Sequence, residues 1–94
     1  MTKLFAELMV DLVWQKGTPV VGYDPRTWRL DTCGAWIHRW SYGDRGSQYG
    51  WEIDHIVPES AGGSDNLTNL RPLQWRNNVA KSDGRLVCIV KATR

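Results

Sequence analysis

The chain has little cysteine, no long apolar run and no internal repeat, and each scarcity removes a class of protein. Of 94 residues only two are cysteine, Cys33 and Cys88, and neither belongs to a CxxC pair. A four-cysteine structural zinc site is therefore excluded. The two are read as reduced thiols at small core positions, with a single disulfide as the alternative in a secreted protein. The opening stretch "KLFAELMVDLVWQ" is interrupted by Glu7 and Asp11, which argues against a signal peptide or a membrane span. A cytoplasmic location and no membrane partner are expected. A chain of this length holds one core and no second reading module.

Tryptophan, by contrast, is abundant: Trp14, Trp28, Trp36, Trp40, Trp51 and Trp75. An indole buries a large area with few rotatable bonds, which suits a thin core. Most of the six are expected there, with base stacking as the functional alternative for one or two. Formal charge is only +2 but unevenly spread. From Asn66 onward, six basic residues (Arg71, Arg76, Lys81, Arg85, Lys91, Arg94) against one acid (Asp83) leave a local charge of +5. Such a segment favours a polyanionic partner.

Leu4, Leu8 and Leu12 recur at helical spacing, so residues 3–15 read as an amphipathic helix. Gly and Pro punctuate the stretch from Gly17 to Trp40, which reads as a loop followed by short strands. "WEIDHIVP" is β-branched and partly alternating and reads as a strand stopped by Pro58. A polar loop around Gly62–Gly63, a second strand in "LRPLQW", a short helix in "RNNVAK" and an apolar, strand-like tail in "RLVCIVKA" complete the chain.

Asp54 and His55 stand side by side in the first of these strands. Both are costly to bury without partners, and neighbouring strand residues point to opposite faces, so the two serve different roles. A carboxylate together with an asparagine carbonyl suits a hard cation. A neutral imidazole can take a proton from water near pH 7.

The segment "DHIVPESAGGSDNLTNLRPLQWRNNVAKSD" resembles the core of the HNH endonucleases, the ββα-metal finger. It carries a D-H pair, a following Pro, a Gly-rich loop ending in N-L, and a short helix with N-x-x-K. The resemblance runs from Trp51 to Gly84 and implies that the other residues elaborate it: residues 1–50 as helix and lead-in strands, 85–94 as tail, all in a single α+β domain. Where many members have a C-x-x-C pair in the lead-in, only Cys33 stands here, so no structural zinc is expected.

Carried over by position, the resemblance makes His55 the general base and Asp54 a metal ligand. Asn69 becomes the residue that orients His55, and Asn78 the second metal ligand in place of a histidine. Asn66 and Asn77 are the register alternatives to Asn69 and Asn78. Oxygen donors of this kind imply one Mg²⁺ or Mn²⁺ per site. Arg71, Arg76, Lys81 and, outside the motif, Arg39 are the expected phosphate contacts. His38 is read as a strand residue beside aromatics, and Glu52 and Glu59 as solvated flanks. The expected activity is metal-dependent hydrolysis of DNA, leaving 5′-phosphate and 3′-hydroxyl ends. A homodimer or a larger phage or bacterial protein is the expected protein partner. The alternatives are a non-cleaving nucleic-acid-binding module on the same fold, and a secreted toxin nuclease marked by a Cys33–Cys88 bond.

Overall fold

The computed structural model describes residues 2–81 and 84–92. Its element order is α1 (Thr2–Trp14), β1 (Trp28–Leu30), β2 (Trp36–His38), β3 (Trp51–His55), β4 (Leu70–Gln74) and α2 (Trp75–Ala80). Single 3-10 turns occupy Arg39–Ser41, Glu59–Ala61 and Leu67–Asn69. Two antiparallel hairpins result, β1 with β2 and β3 with β4, in an α+β arrangement.

The expected amphipathic helix forms, and its inner stripe ends in Val13 and Trp14, both buried. These two meet Ile37 of β2, Trp51 of β3 and Leu70 of β4 in one apolar cluster, with Met9 and Val10 packed at its edge. The Trp14 and Trp51 rings lie 5.3 Å apart and tilted, a geometry favoured by aromatic quadrupoles. Trp28 stands edge-on to Trp36, His38 and Tyr49, so the first hairpin carries a second, smaller aromatic cluster. Most of the six tryptophans are expected in the core; Trp40 is one that lies outside it, at 75% exposure.

The β3–β4 hairpin sets the register that matters for chemistry, pairing Asp54 with Arg71 and His55 with Leu70. Its connecting loop closes tightly on itself. Gly62 has φ 87°, and a Cβ on Gly63 would stand 1.7 Å from the Val57 carbonyl oxygen, so only glycine fits this second position.

Two expectations are corrected. Cys33 and Cys88 are not free thiols: they are joined in a disulfide across 55 residues, with Cα atoms 5.4 Å apart. Among the described residues, the tail at residues 85–92 forms no strand of either hairpin. It is held instead by that disulfide, by the amide of Ala92 on the Gly34 carbonyl, and by Asn77, whose side-chain oxygen accepts from the amides of Ile89 (2.9 Å) and Val90 (2.8 Å). A segment whose amides are bonded to a side chain has no need of a strand partner.

Candidate active site

β3 delivers Asp54 and His55 to one open cleft, where they are joined by Pro58 and Glu59 from the loop and by Asn78 and Lys81 from α2 and its end. Asp54 is buried, and both of its oxygens are taken. Arg71, its ladder partner, donates Nε to Oδ2 at 2.8 Å, and Lys81 donates Nζ to Oδ1 at 2.8 Å. Lys81 also donates to the His55 carbonyl. Two cations on one buried carboxylate offset its desolvation and leave a net positive charge at the floor of the cleft.

His55 is only partly buried. Its Nε2 lies 2.8 Å from Asp65 Oδ1 and 3.5 Å from Glu59 Oε1. The ligand atoms of these three residues all fall within 4.8 Å of one another. Both carboxylates ride on the loop that Gly62 and Gly63 turn, so the loop's fold determines what faces the imidazole.

Asn69 makes no hydrogen bond to His55 among the described residues. Its Oδ1 accepts from the Val57 amide at 2.8 Å, and its Nδ2 donates to the carbonyls of Val57 (3.0 Å) and Ser64 (2.8 Å). It pins the two ends of the loop that carries Glu59, and reaches His55 only through that loop. Asn66 is exposed, at the start of the last 3-10 turn.

Adjacent asparagines of α2 separate cleanly. Asn77 is wholly buried and fully bonded: besides the two tail amides it donates to the Val90 carbonyl at 3.0 Å and to Asp31 Oδ2 at 3.2 Å. Asn78 faces the cleft and donates Nδ2 to Glu52 Oε1 at 2.8 Å. Its Oδ1 has no donor among the described residues, which leaves an oxygen available in the cleft beside Asp54. Glu52, two residues before Asp54 and so on the same face of β3, is held in turn by Arg45 Nε at 2.7 Å and Nη2 at 3.0 Å. The Arg45 bond keeps the Glu52 carboxyl below its ordinary value; the Asn78 amide and the Arg45 charge act in the same direction, and partial burial opposes them.

Four acids of the site region lie outside the set the motif points to: Glu52, Glu59, Asp65 and Asp31. Glu52 had a signal, its i+2 spacing from Asp54. Asp31 had none. It is buried and accepts four N–H groups, from the amides of Cys33, Ala35 and Gln74 and the Asn77 side chain. It thereby joins the first hairpin to α2, in the lead-in where the resemblance places a cysteine pair.

Of the four cations expected on phosphates, Arg71 and Lys81 face Asp54, and Arg39 is paired with Asp11 by Nε at 3.1 Å. Arg76 lies exposed, its guanidinium 5.2 Å from the centre of the Trp75 ring. His38 ends β2 and accepts the Trp40 amide on Nδ1, away from the cleft.

A family model described as HNH endonuclease matches residues 36–84, just over half of the chain and every residue lining the cleft. No curated protein and no solved structure matches the chain.

Proposed function

Because the chain belongs to the HNH endonuclease family, a nuclease-type function follows, and we propose that it hydrolyses DNA phosphodiester bonds with His55 as the general base. The observation that carries this reading is the shared cleft: an imidazole bonded to a carboxylate, a buried aspartate and an asparagine oxygen, all facing one opening. In the tautomer that directs Nε2–H to Asp65, the ring keeps Nδ1 to take a proton from water, and the carboxylate supports the positive charge that develops. The water oxygen then bonds to phosphorus, the bond to the 3′-oxygen breaks, and that oxygen leaves with a proton from solvent. The products are a 5′-phosphate and a 3′-hydroxyl.

Nucleases of this family use a divalent metal. The donors suited to it here are Asn78 Oδ1 and an Asp54 oxygen, which the ion would have to share with Lys81 or Arg71; both are hard ligands that favour Mg²⁺ or Mn²⁺. When bound, the ion supplies Lewis acidity to the phosphate and charge to the departing oxygen. Glu52 turns Asn78 so that its oxygen, not its nitrogen, is offered. Arg76 is positioned on the surface for the DNA backbone. One cleft cuts one strand, so a double-strand break requires two copies or a larger partner.

The test is supercoiled plasmid at low salt with Mg²⁺, Mn²⁺ or chelator, beside His55→Ala. Metal-dependent nicking by wild type and none by His55→Ala is the expected result. A protein that retards plasmid but never nicks it, with either residue at position 55, overturns the reading and leaves a binding module.

The disulfide favours a second reading, a toxin-type nuclease domain that acts outside the reducing cytosol. Locating the protein in fractionated host cells and counting its thiols there decide between this and the cytoplasmic location expected from the sequence. Two free thiols favour the cytoplasmic enzyme, and none favours the exported one.

A further inference from the structure

A second cleft is lined by Arg26, Arg29, Arg39, Trp40 and Asp11, among others. Its features are unusual in combination. The turn after β2 is capped by His38, whose Nδ1 accepts the Trp40 amide at 3.2 Å, and the turn throws the Trp40 indole outward to 75% exposure. Arg39 lays its guanidinium 4.7 Å from the centre of that ring, a cation–π contact that holds the indole in place. The remaining aromatic surface is open.

Arg29 supplies a fixed positive charge beside it. Its Nε donates to the Pro25 carbonyl at 2.9 Å, and Nη1 donates to the carbonyls of Gln15 and Gly17 at 3.1 and 2.9 Å. Among the described residues no carboxylate pairs with it and Nη2 has no acceptor. Neutral carbonyls orient the group without cancelling its charge, so it is preorganised for an anion. Arg26, at the rim, is paired with Asp24 on the open surface, its side chain 89% exposed. Such pairs are weak and exchange readily for another anion.

An open indole between a fixed guanidinium and an exchangeable one is the pattern that single-stranded nucleic acid takes: a base on the ring, its phosphate on arginine. The two clefts share no lining residue, but a third groove has one residue in common with each. Arg39 also lines an apolar groove shared with Ile53, and Ile53 lines the His55 cleft. The Trp51 indole donates to the Arg39 carbonyl, and Trp51 opens the strand that carries His55, which ties the Trp40 turn to the catalytic strand.

We propose that Trp40, with Arg29 and Arg26, forms a subsite for one unpaired nucleotide of the DNA substrate. This rests on the nuclease reading and narrows its substrate to DNA with a single-stranded or frayed flank. In an intact duplex both faces of a base are already stacked, so the ring can be used only where pairing ends.

The experiment measures binding of fluorescein-labelled two-strand duplex DNA, blunt or with a four-nucleotide overhang, by anisotropy in chelator so that no cleavage intervenes. Wild type is expected to prefer the overhang. Trp40→Ala, a surface change checked for folding by thermal melting, is expected to weaken overhang binding by roughly 5- to 100-fold, the range for loss of one stacked base. Trp40→Phe should keep most of the affinity, and blunt DNA should bind all three proteins alike. Equal overhang affinity for wild type and Trp40→Ala, or no overhang preference in wild type, overturns the subsite. Wild type that nicks plasmid yet shows no preference sinks the subsite alone. Wild type that shows the Trp40-dependent preference but never nicks sinks the nuclease reading and leaves the subsite standing.

Discussion

The Lys81 ammonium stands 2.8 Å from Asp54 Oδ1, with both side chains nearly buried, at 7% and 5% exposure. The lysine that ends the motif is thus a partner of the aspartate that begins it. Its position lets α2 lock onto β3 across 27 residues of chain. It also places a positive charge where a metal ion would share the carboxylate.

Lys81→Met tests that competition. Asp54 keeps Arg71 as its ion-pair partner, so the fold should survive with a loss below about 3 kcal/mol, less than the usual cost of breaking a buried pair outright. Removing a charge a few ångströms from a divalent ion should tighten Mn²⁺ binding roughly tenfold or more, as read by calorimetry or by Mn²⁺ electron paramagnetic resonance. An unchanged Kd would mean that Asp54 is no ligand. Asp54→Asn should be much less stable, by about 3–5 kcal/mol, because two buried cations lose their carboxylate.

The two asparagines of α2 should respond in opposite ways. Asn77→Ala leaves two tail amides, the Val90 carbonyl and Asp31 without their partner, at a cost of about 3 kcal/mol in urea denaturation. Asn78→Ala loses one bond at the cleft wall, about 1 kcal/mol or less. Its cleavage rate, however, should fall at least tenfold. A reversal of this pattern would move the cleft ligand to Asn77.

Asn69 is expected to act through the loop. Asn69→Ala should speed amide exchange at Val57, whose N–H it now accepts, and slow cleavage because Glu59 and Asp65 lose their place beside His55. Asn69→Asp keeps that acceptor but loses both donors to the carbonyls of Val57 and Ser64, and should be no better. Faster metal-dependent cleavage by Asn69→Asp would instead make this residue a metal ligand.

The Cys33–Cys88 bond closes a loop of 55 residues, worth up to about 4 kcal/mol on the chain-entropy account. Dithiothreitol, or Cys88→Ser, should lower Tm by several degrees and expose the amides of Ile89 and Val90 to exchange. A Tm indifferent to reductant would show that the thiols are not joined in the protein as isolated.

The sequence by itself determined the parts of this protein that are local. The strand carrying Asp54 and His55, the Gly62–Gly63 turn, the return strand and the short helix fall within 34 residues, and each announces itself by periodicity or by a residue the backbone needs. The family follows from the same stretch. Tertiary structure decided what depends on partners distant in the chain. Asn77 and Asn78 are equivalent in a pattern, and only partners distant in the chain, Asp31 upstream and the tail at Ile89 and Val90 downstream, draw Asn77 inward and leave Asn78 to the cleft. Arg71 and Lys81 look like phosphate contacts until the hairpin register and the end of α2 turn them onto Asp54. Cys33 and Cys88 meet because Asn77 holds the tail against α2 and Asp31 joins α2 to the turn that carries Cys33. Trp40 is exposed while Trp14 and Trp51 are buried, because His38 caps the turn that directs it outward. Spacing encodes which residues lie on one element. Which charges cancel and which stay free depends on how the elements pack.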